Sequence, residues 1–282
     1  MEEKLLKKFA AVSMIFAVLA LGLMLLFLGY KHEVLALEAL GNVLGISATD
    51  TVKQTGDRGE YINLPLPEGV TEEDVNIEDH YIEQMVKVTI RTADDYYKEN
   101  GLSGDEDNIE AVYYEYAEGK TDIYFSPSTV CEHESAVVDG RLYIRFIPAK
   151  ELFEHIIVID AGHGQEVVGT SAYGQSEKDI TLSIAKKLKK HLDTTDIQVY
   201  YTRLQDTGPS VQERANLAET IPADMLISIH VNADSNTRTT TGIETYYRNN
   251  TAAGMSNRDL AGILQNELIK PTGAKSMGTF DK

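Results

Sequence analysis

The sequence predicts an α/β domain with a mostly parallel or mixed sheet, preceded by a small β-rich domain and an N-terminal transmembrane helix. Three observations support this fold class. Strand-like and helix-like patterns alternate after Pro148, short alternating strands fill the stretch before it, and 22 uncharged residues lie between Lys8 and Lys31. Strands that alternate with helices are typical of βαβ units around a parallel sheet.

The composition is that of a globular protein with an uneven charge. Among 282 residues there are 44 acidic and 26 basic side chains, a formal net charge of -18, and 43% are hydrophobic. This hydrophobic content suffices for a sizeable core and excludes a fully disordered or fibrous chain. Residues 56–155 alone carry 24 acidic and 8 basic side chains. Because such a surface repels phosphates, we expect no nucleic-acid partner.

Residues 9–30 are predicted to be a membrane anchor. At about 1.5 Å per residue, an uncharged helix of this length spans a hydrocarbon core of about 30 Å. The lysines within residues 1–8 predict a cytoplasmic N-terminus, with the main part of the chain extracellular. A cleaved signal peptide is the alternative, with Val34-Leu35-Ala36 as a weak cleavage site. We favour an uncleaved signal-anchor that crosses the cell membrane once.

Residues 31–59 are predicted to form a stalk, and residues 60–150 an acidic, β-rich accessory domain. Alternation of apolar and polar residues predicts strands at 85–90, 111–116, 121–125 and 141–146, and a short helix is expected within 94–102, ended by Gly101. The last strand follows a turn at Asp139-Gly140. Tyrosines that alternate with acids allow two interpretations, a carbohydrate-binding face or a half-buried sheet with a solvated side. We favour the half-buried sheet.

The single cysteine, Cys131, cannot form an internal disulfide, and no cysteine cluster is available for a structural zinc site. His133 lies two residues away, but no third group in the sequence orients such a pair for nucleophilic catalysis. We therefore predict that Cys131 is a partly buried small residue.

Residues 151–282 are predicted to form the α/β domain. Strands are predicted at 155–160, 198–203, 224–231 and 244–248, and helices at 178–192, 210–219 and 256–270. Pro271 and Gly273 are expected to end the last helix.

Three side chains of this domain could bind a metal. His163 follows the first strand, His230 ends the strand ISIH, and Glu177 stands before the first helix. In α/β sheets, ligands bind outside the carboxyl ends of the strands, where all three are expected. Two imidazoles and a carboxylate match a catalytic zinc site. The alternative is two simply hydrogen-bonded histidines and a glutamate that favours a helix start.

An ordered series of motifs over residues 156–273 resembles the zinc-dependent N-acetylmuramoyl-L-alanine amidases of bacterial cell walls: IVIDAGHG, SEKD, TRLQD, SIHVNA and GIETYY. The resemblance implies that His163, Glu177 and His230 bind Zn²⁺. It also implies hydrolysis of the amide between N-acetylmuramic acid and L-alanine, with peptidoglycan as partner and the chain facing the cell wall. Arg203 and Arg214 match the family's TR and ER positions, whereas the residues alone predict surface arginines.

The family's general base is a Glu on a late strand, in a segment similar to Val-Glu-x-Gly-Phe, and the resemblance places it beyond Lys282. We expect a C-terminally truncated domain that hydrolyses peptidoglycan far more slowly than a full-length relative, with Glu244 as a weak substitute base. The resemblance also implies a further strand and a closing helix, so Ile263, Leu264 and Leu268 are expected to lack part of their cover. The alternative function is a catalytically inactive, membrane-anchored peptidoglycan-binding or regulatory protein.

Overall fold

The computed structural model describes residues 60–92, 95–104, 107–233, 239–249 and 256–282. Among these residues, no helix combines the length and the apolar character needed to cross a membrane. The predicted anchor at 9–30 and the predicted stalk at 31–59 lie outside the described residues.

The described residues divide into two compact units. One contains residues 60–158 and Pro209–Leu226, and the other contains Ile159–Gly208 and Ile227–Lys282. The division between residues 158 and 159 falls inside a strand. The domain boundary that the sequence predicts, between residues 150 and 151, therefore stays a prediction.

The first unit is rich in β-structure. Its elements before residue 153 are β1 (Ile62–Pro65), β2 (Val75–His80), β3 (Met85–Arg91), α1 (Tyr96–Glu99), β4 (Ser103–Gly104), β5 (Ile109–Ala117), β6 (Lys120–Pro127), β7 (Cys131–Val138), β8 (Arg141–Pro148) and α2 (Ala149–Leu152). The strands form two four-stranded sheets, in the orders β4-β1-β8-β7 and β2-β3-β6-β5. All pairs in both sheets are antiparallel.

The two sheets share one hydrophobic core. Buried and less buried residues alternate along β3 and β6, so that one face of each strand points inward. The core takes Leu64 and Ile144 from one sheet and Val88 and Ile123 from the other, each fully buried. The strands predicted by alternation are confirmed as β3, β5, β6 and β8. Tyr114 packs against this core, as expected of a half-buried sheet.

Two local features test the turn and helix predictions. Asp139 and Gly140 both adopt positive φ, 50° and 71°, between β7 and β8, so the predicted turn is confirmed. The helix expected within 94–102 is a single turn, because its capping residue, Asn100, already lies outside the helical conformation. Tyr97 of this turn is buried and donates its hydroxyl to the Pro65 carbonyl at 3.0 Å.

The rest of the chain has α/β character, as predicted. Its elements are β9 (Ile156–Ala161), β10 (Ser171–Ala172), β11 (Gln175–Ser176), α3 (Glu177–Leu192), β12 (Gln198–Tyr201), α4 (Val211–Thr220), β13 (Met225–Ile229), β14 (Ile243–Tyr247), α5 (Asn257–Thr272) and β15 (Ser276–Asp281). β9 is buried along its whole length and is the central strand of a sheet in the order β12-β9-β13. A run of apolar residues without alternation predicts such a strand.

The end of the chain differs from the sequence prediction in two ways. Pro271 lies inside α5, and the helix ends only at Gly273, which adopts the left-handed conformation with φ 62°. A strand that the sequence does not predict, β15, follows and pairs in parallel with β14. A register shift beside Glu244 and the positive φ of Gly278 interrupt the two-residue period, which conceals this strand in the sequence. α5 packs on both strands, and its Ile263, Leu264 and Leu268 are partly buried.

Candidate metal centre

Three side chains that the sequence singled out converge at one place. His163 lies two residues after β9, Glu177 is the first residue of α3, and His230 directly follows β13. One nitrogen from each imidazole and one carboxylate oxygen all lie within 4.8 Å of one another. His163 Nε2 is 3.2 Å and His230 Nδ1 is 2.9 Å from the same oxygen, Glu177 Oε1. The two rings meet edge to face, with centroids 5.1 Å apart.

The carboxylate of Glu177 is held from behind by the backbone. The amide of Thr170 donates to Oε2 and the amide of Val231 donates to Oε1, each at 2.9 Å. Burial is the largest influence on this group and raises its pKa. The two amides, the hydrogen bond from His230 and the charge of His163 together outweigh burial, so the pKa of Glu177 is lowered. Glu177 is therefore a fixed, ionised oxygen donor.

The backbone beside these residues leaves no room for additional atoms. A Cβ on Gly162 would lie 2.4 Å from His230 Cε1, and a Cβ on Gly169, whose φ is 67°, would lie 2.6 Å from Glu177 Oε2. His163 itself adopts a φ of 63°, which costs a non-glycine residue free energy and is typical of functional sites. The chain is therefore folded tightly around the three side chains.

Comparison with known proteins identifies the family to which the α/β region is similar. Residues 157–282 match the N-acetylmuramoyl-L-alanine amidase family. Over 126 residues the chain is 38% identical to the N-acetylmuramoyl-L-alanine amidase LytC of Bacillus subtilis (strain 168), a match that covers 45% of this chain and 24% of LytC. Residues 157–282 belong to the N-acetylmuramoyl-L-alanine amidase family.

Two further proteins are similar to this chain. The endolysin of Bacillus phage SPP1 is 35% identical over 127 residues, covering 44% of this chain and 46% of the endolysin. The crystal structure of an N-acetylmuramoyl-L-alanine amidase from Clostridium difficile 630 is 40% identical over 45% of this chain and 69% of that one, with a TM-score of 0.43. This chain spans less than half the length of LytC and of the endolysin.

The other residues singled out in the sequence lie elsewhere. Among the described residues, Glu244 does not belong to the His–Glu–His cluster; its carboxylate accepts a hydrogen bond from Asn232. Arg203 and Arg214 are 3% and 8% exposed, so the prediction of surface arginines is wrong. Arg214 Nε donates to the Pro209 carbonyl at 2.8 Å, which satisfies a buried charge with backbone rather than water.

Within the part of the chain that the structure describes, Cys131 lies in the core and not in a nucleophilic site. It is 2% exposed, and burial, followed by the charges of Glu151 and Glu132, raises the pKa of its thiol to about 12. Its neighbour His133 contacts Asp79 instead, at 3.1 Å. Cys131 is therefore a small core residue, as predicted, although it is fully rather than partly buried.

Sequence reasoning missed the residues that hold the site together. Asp160 is buried at the end of β9 and accepts hydrogen bonds from Thr202 Oγ1 at 2.7 Å and Ser228 Oγ at 2.8 Å. These bonds tie β9 to the chain after β12 and to β13, which carries His230 at its end. A charged residue at the end of an otherwise apolar strand is the signal that could have indicated this role.

Proposed function

We propose that this chain hydrolyses the amide bond between N-acetylmuramic acid and L-alanine in peptidoglycan, with one zinc ion held by His163, Glu177 and His230. The observation that carries the proposal is the convergence of these three side chains in a region of the amidase family. Two imidazoles and one carboxylate are a donor set typical of catalytic zinc.

The two contacts of the Glu177 carboxylate are close to those expected around zinc. Ligand atoms about 2.0–2.1 Å from a tetrahedral ion lie about 3.3 Å from one another. The two contacts of Glu177 Oε1, at 2.9 and 3.2 Å, need to lengthen by only a few tenths of an ångström. Bound zinc would supply Lewis acidity that polarises the scissile carbonyl and makes water easier to deprotonate.

The exposure of the three side chains indicates the open side of the site. The side chains of His163 and His230 are 25% and 52% exposed, whereas that of Glu177 is 5% exposed. The carboxylate therefore forms the floor and the two imidazoles form the solvent-facing rim. A substrate carbonyl and a water molecule can approach from the rim, while the two backbone amides hold the Glu177 carboxylate in place.

The proton transfers of amide hydrolysis require a further acid–base group held off the metal. Among the described residues, Glu244 is the acid to test first, because Asn232 joins its carboxylate to the segment two residues after His230. Glu244→Gln tests this role.

The test uses the full chain, first stripped of metal with a chelator and then supplied with zinc, on purified peptidoglycan. New alanine amino groups are measured by chemical labelling, and new reducing sugar ends are measured in parallel. We expect zinc-dependent release of alanine amino groups, lost in Glu177→Gln and retained in Glu219→Gln, which neutralises an exposed carboxylate on α4. A fall of about 10²–10⁴-fold in Glu244→Gln with zinc content unchanged would assign the base.

Two results would contradict the proposal. Turnover that survives the chelator would exclude the zinc mechanism, and new reducing ends without new amino groups would indicate cleavage of the glycan. Zinc binding and peptidoglycan binding without turnover would favour the second candidate, a catalytically inactive binding or regulatory protein.

We also propose that residues 9–30 anchor the chain in the cell membrane with the accessory and amidase regions outside. The uncharged run and the lysines before it support this orientation. Protease added to intact cells should then degrade residues 60–282. Full protection of these residues would contradict the orientation.

A further inference from the structure

Arg203 is a charged side chain inside the amidase region. It lies two residues after the end of β12 and is 3% exposed. An arginine is rarely buried to this extent unless its donors are satisfied, because removing a charge from water is costly. The partners of Arg203 therefore indicate what the residue is for.

Those partners lie beside two of the three proposed zinc ligands. Arg203 Nε donates to the carbonyl of Ala161 at 2.7 Å, and Nη2 donates to the carbonyl of Gly162 at 3.0 Å, directly before His163. Nη2 also lies 2.8 Å from the carbonyl of Lys178, directly after Glu177. One guanidinium thus joins the loop that carries His163 to the first turn of α3.

A hydroxyl completes this connection. Thr181 Oγ1 lies 3.1 Å from Arg203 Nη2 and donates to the Gly162 carbonyl at 2.7 Å, so that α3 and the loop are joined a second time. Thr181 is fully buried. The polar groups at this junction are thus bonded to one another inside the protein, where a lost bond is not replaced by water.

We propose that Arg203 is a positioning residue for the metal centre, which sets the separation of His163 and Glu177 through the backbone on either side of them. The inference rests on the proposed zinc site and assigns a role to a residue that touches neither zinc nor substrate. His163 adopts a φ of 63°, so its loop would relax toward commoner conformations if the two carbonyls before it were released.

Arginine suits this role better than lysine. The guanidinium is planar and presents five donors in a fixed fork, so that one group reaches carbonyls of two separate elements. Lysine has one nitrogen at the end of a flexible chain and keeps the charge without the fork. Arg203→Lys therefore separates the loss of geometry from the loss of charge, and Arg203→Gln removes both.

A general loss of stability is the competing explanation, and Gln265 provides the control. Gln265 is also 3% exposed and lies in the same unit. Its amide nitrogen donates to the Ile243 carbonyl at 2.6 Å and to Ser276 Oγ at 3.0 Å, so it joins α5 to β14 and β15. Gln265→Met should destabilise the same unit without releasing the loop before His163.

The experiment measures zinc affinity of the full chain by competition with a chromophoric chelator, alongside thermal unfolding of the metal-free proteins. We expect Arg203→Lys and Arg203→Gln to weaken zinc binding by about 10–100-fold, as losses beside metal ligands commonly do. We expect the zinc affinity of Gln265→Met to stay within about twofold of that of the unmodified chain, even if its unfolding temperature falls as far as those of the Arg203 variants. Unchanged zinc affinity in both Arg203 variants, or an equal loss in Gln265→Met, would overturn the proposal.

Hydrogen exchange of the metal-free chain gives a second readout, which does not depend on zinc. The amide of Gly162 donates to the Ile229 carbonyl and that of Gly164 to the Val167 carbonyl, each at 3.0 Å. Both amides should exchange at least about tenfold faster in the Arg203 variants than in Gln265→Met, and equal rates would contradict the positioning role. If the unmodified chain binds no zinc, the proposed function fails, while the exchange rates still decide whether Arg203 holds the loop.

Discussion

Gly162→Ala should separate metal binding from folding. The added Cβ would lie 2.4 Å from His230 Cε1 and 2.7 Å from both ring nitrogens. Carbon atoms pack at about 3.5 Å or more, so the ring must move by about 1 Å. Zinc–ligand distances tolerate only about 0.2 Å, so the displaced imidazole can no longer act as a ligand in the same geometry.

Gly162→Ala should weaken zinc binding more than it destabilises the fold. The side chain of His230 is 52% exposed, so the ring can turn outward, and the loss in unfolding free energy should stay below about 1 kcal/mol. Zinc affinity should fall by about 100-fold, which corresponds to about 2.7 kcal/mol. The assay is zinc titration of the metal-free chain, combined with urea unfolding of the same preparation.

Gly262→Ala is the matched control. A Cβ on Gly262 meets no atom of the described residues within 4 Å, and Gly262 lies inside α5. Alanine should stabilise this helix by about 0.5–1 kcal/mol and leave zinc affinity unchanged. If Gly162→Ala binds zinc as tightly as Gly262→Ala does, the close approach of the backbone to His230 does not matter, and the reasoning is refuted.

Two further predictions concern stability, and urea unfolding measures both. The hydrogen bond to Asp79 is the largest influence on His133 and, with the charges of Asp79 and Glu132, outweighs burial and raises the pKa of His133. The contact between His133 and Asp79 therefore stabilises the fold fully below the unfolded pKa of about 6.5, and this stabilisation is lost as pH rises through the folded pKa. His133→Gln should thus lower the unfolding free energy by about 0.5 kcal/mol more at about pH 5.5 than at about pH 8.5. A pH-independent cost would contradict the pair. Ser256 caps α5 by accepting from the Asp259 amide at 3.1 Å, so Ser256→Ala should cost about 1 kcal/mol and Ser256→Asp little; equal losses in both variants would refute the cap.

Much of the fold could be predicted, because the spacing of apolar residues along the chain distinguishes strands from helices. The apolar run before Asp160 predicts the buried strand β9, and Ile180, Ile184 and Leu188 at helical spacing predict α3. These elements and β13 place His163, Glu177 and His230 at their ends, where a ligand edge is expected. The candidate metal cluster was therefore predictable as a set of positions, and the family motifs then singled out the same three residues.

The remaining features depend on contacts that leave no pattern in one sequence. β15 was missed because a register shift and Gly278 break its alternation. The burial of Arg203 was missed because its partners are backbone carbonyls, which every residue has. The close approach of Gly162 to His230 joins residues 68 positions apart and becomes visible only once both strands are placed.

Isothermal titration of the metal-free full chain with zinc measures directly whether His163, Glu177 and His230 bind a metal. We expect one zinc ion per chain. Glu177→Gln should lose this binding because the neutral amide replaces the ionised oxygen that both imidazoles face. Glu219→Gln, on the exposed side of α4, should bind zinc as the unmodified chain does. Absence of zinc binding by the unmodified chain, or equal binding in Glu177→Gln, would contradict the claim that these three side chains form a metal centre.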